Sequence, residues 1–247
     1  VRERALAHLH LAEAFIGMGH LDRALDAAER TLADLDESDV ARSTVHEAIG
    51  CIHLLSGRLR AAAQWLDRGL ALARERGAAR SECTLLGKRG LLHLAQGQAA
   101  LAWEDFDLAV RKNEARGSTA ITGSSLVDRA MAALAAGREV EAEADLERAR
   151  VLLGDPAEHR AEGRMLVVCE AAGRAFAATA SGASPVETER RLRSDMARFF
   201  DRVPESEWDV VLRFLDWLVD RVARVPSRRS ETTARRPRAR TPRRSRG

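Results

Sequence analysis

The sequence predicts an all-α solenoid, a row of antiparallel helix pairs stacked side by side. Three observations predict it. The 247 residues contain a fourfold internal repeat, each unit holds two segments of helical periodicity, and the two segments meet at a glycine. Composition agrees: 45% hydrophobic residues suit a globular chain with a sizeable core, and 4% aromatics with no Tyr argue against an aromatic-rich β-sandwich.

The repeat is read from the glycines Gly19, Gly57, Gly97 and Gly137, spaced by 38, 40 and 40 residues. Five residues after each stands an alanine: Ala24, Ala62, Ala102, Ala142. Four further on come Ala28, Leu66, Phe106 and Leu146, then the small residues Thr31, Gly69, Ala109 and Ala149. Three places before each glycine lies Ile16, Leu54, Leu94 or Leu134, and seven places before it Ala12, Gly50, Gly90 or Ala130. Six positions agreeing across four units is not coincidence.

Each unit divides at its glycine. The first segments are expected at Arg4–Met18, Val40–Ser56, Glu82–Gln96 and Ser124–Ala136, the second at Leu21–Leu35, Leu59–Arg76, Ala99–Ala115 and Val140–Leu153. At about 1.5 Å per residue each helix is about 20–27 Å long. The glycine suits a left-handed helix C-cap, where a Cβ is penalised. The small residues belong where paired helices approach closely, and the larger apolar ones are expected to fill the space between repeats. One pair cannot bury its apolar face alone, so stacking is obligatory.

These residues resemble the tetratricopeptide repeat (TPR) family. Leu11-Ala12, Phe15, Gly19 and Ala24 in the first unit, and Ile49-Gly50 in the second, sit close to its pattern. Departures are the missing aromatic of the first helix, Arg89 and Arg129 where an apolar residue is usual, and a period near 40 residues instead of 34. The longer period looks like the TPR-like arrays of bacterial signalling ATPases, kinases and MalT-type transcription activators. The resemblance covers residues 1–156 and implies a right-handed superhelix whose first helices line the concave face.

Residues 157–225 read as a degenerate fifth pair and a cap. Glu162–Ser181 is a small-residue helix. Ser184-Pro185-Val186-Glu187 forms a capping box with proline at the first helical position, ahead of a stripe of Leu192, Met196, Phe199, Phe200 and Val203. A last helix, capped by Ser206, presents Trp208, Val211, Leu212, Leu215, Leu218, Val219 and Val222, either to close the solenoid or to dock into another domain or a second copy.

The net charge of +3 hides an asymmetry. Residues 226–247 carry nine Arg (Arg228, Arg229, Arg235, Arg236, Arg238, Arg240, Arg243, Arg244 and Arg246) against Glu231, a net of +8, which leaves −5 for residues 1–225. This Arg/Pro/Ser/Thr tail is expected to be disordered. A solubilising tail and a binding arm for nucleic acid or an acidic partner both fit it; without an aromatic it offers bases nothing to stack on. Phosphorylation of Ser230, Thr241 or Ser245 would reduce its charge.

Tests for chemistry come back empty. There is no Walker A loop, G-x-G-x-x-G, G-x-S-x-G or H-E-x-x-H pattern, so no catalytic residue and no cofactor is assigned. Cys51, Cys83 and Cys169 are too widely spaced for a disulfide framework, which points to a reducing cytosol. His46, His53 and His93, with Cys51 and Cys83, stand where the repeat wants bulk, and are read as packing residues rather than metal ligands. The acids Glu141, Glu143, Asp145 and Glu147 are read as a solvated, salt-bridged face beside Arg148 and Arg150 rather than a general acid–base pair. No apolar run reaches the length of a membrane span.

Binding is the better prospect. By the geometry the resemblance implies, the groove-facing positions are Leu9, Glu13, Ile16, Glu47, Cys51, Leu54, Leu91, Leu94, Val127, Met131 and Leu134. This mostly apolar stripe either takes an amphipathic helix or apolar peptide, or packs against neighbouring repeats in a tightly wound solenoid. The expected function is a non-catalytic protein–protein interaction or regulatory scaffold in the bacterial cytoplasm. Opening at Val1 inside a helical pattern fits either a GTG start codon read literally or the back part of a longer protein; the second is the expectation, with the chain as the C-terminal part of a signalling or transcription-regulatory protein. The alternative is a nucleic-acid-associated regulator acting through the tail.

Overall fold

The computed structural model describes residues 2–153, together with Ser184, Val186, Glu187, Arg190 and Ser194. Eight helices and no strands occur among the described residues: α1 (Arg2–Gly17), α2 (Leu21–Asp34), α3 (Ala41–Leu55), α4 (Leu59–Glu75), α5 (Ala79–Ala95), α6 (Ala99–Ala115), α7 (Thr119–Ala135) and α8 (Glu139–Leu153). They pair as α1/α2, α3/α4, α5/α6 and α7/α8, and the pairs stack in chain order into an all-α helical-repeat solenoid. None of these helices is long and apolar enough to cross a membrane.

The turns explain why the pairs are so regular. Gly19, Gly57, Gly97 and Gly137 adopt φ of 74°, 72°, 82° and 73°. At Gly57 the glycine N–H donates to Leu54 O at 3.0 Å and the next N–H, of Arg58, to His53 O at 2.9 Å. The paired bonds satisfy carbonyls that a helix end leaves open, and only glycine takes this backbone without strain. Gly77 (φ 63°) and Gly117 (φ 65°) make the same turn between repeats, a role the sequence reading did not give them. Because these turns restart a helix within two residues, α5 and α7 begin at Ala79 and Thr119, ahead of the expected Glu82 and Ser124.

The turn from α2 to α3 lacks such a glycine. There Arg42 Nη1 donates to the carbonyls of Leu32 (3.1 Å) and Leu35 (2.9 Å). Asp39 Oδ1 accepts the N–H of Ala41 at 2.9 Å, which together with Arg2 holds its carboxyl below the usual range against the opposing effect of burial. Farther along, Ser184 Oγ accepts the N–H of Glu187 at 3.2 Å, the capping contact expected of that motif. The remainder of the expected fifth pair, the cap and the Arg-rich tail lie outside the described residues.

Within each pair, small meets large. Ala24, Ala62, Ala102 and Ala142 are fully buried. A Cβ at Gly50 would lie 2.7 Å from Leu66 Cγ, and one at Gly90 2.5 Å from Phe106 Cε1. Leu66 and Phe106 therefore fill the inside of their own pairs, not only the space between repeats as expected. Gly69 serves the inter-repeat contact, where a Cβ would meet Leu85 Cδ2 at 2.8 Å, and within its own pair it would meet His46 Cβ at 3.0 Å. The first pair solves the same problem with Ala12 and Ala28, both at 0% exposure.

This packing makes a testable prediction. Gly90→Ala should destabilise by about 1–3 kcal/mol through overpacking. Phe106→Ala alone should cost about 3–5 kcal/mol through its cavity. The double variant, with the alanine pair the first unit already uses, should cost clearly less than the sum in urea unfolding. Strict additivity would show that the two positions do not press on each other.

Candidate functional site

Helix-to-helix contacts fix which face of the stack is inner. Consecutive first helices touch (α1 with α3, α3 with α5, α5 with α7), whereas consecutive second helices make at most marginal contact. The stack therefore curves with α1, α3, α5 and α7 on its inner wall. The candidate residues on this wall divide by exposure. Leu9, Leu94, Val127, Met131 and Leu134 are buried, at 1–5% exposure, and offer a partner little surface. Ile16, Glu47, Cys51, Leu54 and Leu91 are partly exposed and Glu13 is open. Leu55, next to the stripe, adds an exposed apolar side chain.

Two residues that the sequence reading passed over complete the wall. Lys88 of α5 and Asp128 of α7 occupy equivalent positions, nine residues before Gly97 and Gly137. Both lie deep between helices while keeping part of their surface open. Burial pushes the Asp128 carboxyl up to about 7, with Lys88 opposing the rise. Glu47 is likewise raised by burial, drawn back by Lys88 and pushed further by Glu13. Burial raises the Cys51 thiol. Lys88 itself is held above the ordinary lysine range by the Cys51 sulfur in its thiolate form, by Glu47 and by Asp128, against the pull of burial. Equal spacing from the glycine in neighbouring units was the available signal for Lys88 and Asp128, but the stripe template selected positions one residue away.

The arginines that depart from the repeat pattern have a structural account. Arg89 donates from Nε and Nη2 to Asp105 at 2.8 and 2.7 Å, within its own pair, and from Nη1 to Asp67 of the preceding pair at 3.2 Å. Arg129 repeats this with Asp145 (2.8 and 2.7 Å) and with Asp107 of the preceding pair. Its guanidinium and that of Arg138 also approach the Trp103 ring, at 5.8 and 5.4 Å. Asp145 thus belongs to a buried clamp and not to a solvated face; Glu147, by contrast, pairs with Arg150 at the surface. A further tie joins Glu82 to Lys112 Nζ (2.8 Å) and Arg74 Nε (3.0 Å); burial raises this carboxyl, and the two cations outweigh it and hold it low.

Of the histidines the sequence singles out, His46 sits in a packing position. His46 meets Trp65 edge to face with centroids 5.2 Å apart, and burial lowers its pKa, as it does for His53. His93 shares a 2.9 Å hydrogen bond with Gln98 and lies 3.6 Å from Asp105. Among the described residues no group of three His, Cys, Asp or Glu side chains could hold a metal ion.

Two predictions follow from these charges. Arg129→Ala leaves Asp145 buried without its partner and should cost about 3–5 kcal/mol in urea unfolding. Arg129→Lys should recover only part of that, since an ammonium cannot make the bidentate contact. For Asp128 the folded carboxyl titrates near 7 and an unfolded one near 3.9, so the native state holds the proton more tightly and stability falls as pH rises between these values. Asp128→Asn should match the wild type near pH 4 and become progressively more heat-stable than it towards pH 7. Parallel Tm curves would rule out this burial cost.

Comparison with known proteins bears on the fold. No family model matches the chain, and no curated protein matches it. Among solved structures, it is similar to a putative kinesin light chain with nearly identical TPR-like repeats from Podosopora anserina. That match has 16% identity and a TM-score of 0.58, and covers 81% of this chain and 98% of the other. It is also similar to BtubC (BKLC) from P. vanneervenii, at 14% identity and TM-score 0.56, covering 96% of this chain and 83% of that one. Glycine-turned helix pairs, small residues at the intrapair contact and these structural neighbours together identify the fold as a tetratricopeptide-like helical-repeat solenoid.

Proposed function

We propose that this chain is a non-catalytic protein-interaction scaffold that holds a protein or peptide partner on the inner wall formed by α1, α3, α5 and α7. One observation carries the reading: four first helices lie side by side, and each offers open or partly exposed side chains, Glu13 and Ile16 on α1, Glu47, Cys51 and Leu54 on α3, Lys88 and Leu91 on α5 and Asp128 on α7. TPR-like solenoids generally mediate protein–protein interaction, and a strip contributed by several rigid elements suits a ligand that runs across them. The same fold hosts many unrelated partners, so the partner is sought in the chemistry of the wall.

The context we propose is the cytoplasm of a bacterium, with the chain serving a signalling or transcription-regulatory protein. The 40-residue period and the paucity of Lys beside Arg support that reading. A second reading rests on the +8 charge of residues 226–247. Nine arginines could neutralise several phosphates and give steeply salt-dependent binding to nucleic acid.

One experiment separates them. Proteins retained by the full-length chain from a native lysate are compared with those retained by Glu13→Arg and by a variant with the nine tail arginines replaced by alanine, at low and high salt. The wall reading expects retention that survives high salt and nuclease, depends on Glu13 and ignores the tail, while Tm stays unchanged. Retention lost with the tail, with salt or with nuclease would transfer the function to the tail.

A further inference from the structure

The inner wall carries an ordered row of charge. Glu47 stands on α3, Lys88 on α5 and Asp128 on α7, one to each successive first helix and within one residue of the same level relative to the repeat glycine. All three are set deep between helices with part of their surface open. Among the described residues none of them has a hydrogen bond or an ion pair within 4.0 Å; they act on one another only at longer range. That is unusual in a molecule whose other deep charges are strapped: Arg89, Arg129, Glu82, Asp105 and Asp145 all have direct partners. A charge removed from bulk water without a partner is costly, and a ligand bearing the opposite charge removes that cost.

From this row we infer that the inner wall reads an extended peptide by charge, selecting a basic residue opposite Glu47, an acidic residue opposite Lys88 and a basic residue opposite Asp128. The inference rests on the scaffold reading above and specifies its ligand. Spacing gives the register. Packed helices lie about 8–10 Å apart. An extended chain advances about 3.3 Å per residue, so one wall position corresponds to about three residues. The pattern is basic-x-x-acidic-x-x-basic, which reads alike in either chain direction. An extended ligand is favoured over an amphipathic helix because much of the apolar stripe is closed: Leu9, Leu94, Val127, Met131 and Leu134 are buried, and the apolar side chains that stay open, Ile16, Leu54 and Leu91, are interleaved with Glu13, Glu47, Lys88 and Asp128.

Binding should also depend on pH. Of the charged groups on the helices packed against α7, Lys88 of α5 is the one acting on Asp128, while Asp107 of α6 and Asp145 of α8 are engaged by Arg129. A carboxyl titrating near 7 must lose its proton to pair with a basic residue, so affinity rises from pH 6 to pH 8.

The test is to pan a phage-displayed random dodecapeptide library on the full chain and on two variants, Lys88→Glu and Lys88→Met, each first shown by thermal melting to be folded. The neutral Met variant keeps the test available if the added acid prevents folding. The expected result is enrichment of basic-x-x-acidic-x-x-basic on the wild type, loss of the central acidic preference on Lys88→Met, and a basic centre on Lys88→Glu. A synthetic peptide of that pattern should bind the wild type at least about tenfold more tightly than its charge-inverted counterpart, with a preference that grows from pH 6 to pH 8 and is flat in pH for Asp128→Asn. Selected peptides that compete with one another but carry no such pattern would overturn the charge inference and leave the scaffold reading standing. Failure of any peptide to be selected would overturn both.

Discussion

The helix pairs close because the first helix offers almost no side chain where it meets the second, which in the two middle pairs presents a large one. Gly50 receives Leu66 and Gly90 receives Phe106, with no room for even a Cβ between them. Backbone and side chain can then pack in direct contact, and the density that stabilises protein interiors is reached without long side chains on both partners. The remaining architecture depends on this approach. It sets the spacing within a pair, leaves Gly69 able to repeat the device against Leu85 of the next pair, and allows turns of three residues built on a left-handed glycine.

On this apolar frame lies an ionic one. Arg89 and Arg129 stand where an apolar residue is usual, and each joins an aspartate of its own pair to an aspartate of the preceding pair. Buried ion pairs seldom add net stability relative to a well-packed apolar substitute, because desolvation offsets the Coulomb gain. What they do supply here is geometry: the bidentate fork fixes the second helix against the first, and the third contact fixes one repeat against the one before. In the second unit Ile49 stands at the same place and is fully buried, whereas Leu11 of the first unit is exposed.

The two frames leave the inner wall with a mixed character. Apolar positions at its base are consumed by packing, while Glu47, Lys88 and Asp128 remain accessible and lack direct partners among the described residues. Such a wall is rigid, because its helices are clamped from behind, and it carries charge among apolar side chains where it is open. Rigidity lowers the entropy cost of binding and polarity favours selectivity, which together suit a scaffold better than a hydrophobic sink.

How much of this was legible from the residues depends on whether the controlling physics is local. The repeat, the pairing of helices and the glycine turns at Gly19, Gly57, Gly97 and Gly137 were legible, because a left-handed cap and a 3.6-residue apolar period leave their mark within a few residues. Gly77 and Gly117 were missed although their signal is of the same kind, since the period had been counted once per unit. The clamps were not legible. Arg129 looked like an irregularity and Asp145 like one acid in a solvated run, and only the fold brings residues 16 and 22 apart in the chain to one guanidinium. The stripe was legible as a stripe, yet which members stay open was decided by how tightly neighbouring repeats close, a property of the assembled stack. The repeating unit and its turns are thus written in the residues themselves, because they arise from short-range sterics and periodicity. Tertiary structure decided the pairing of charges and the chemistry of the wall, which arise from long-range contacts and from the water those contacts exclude.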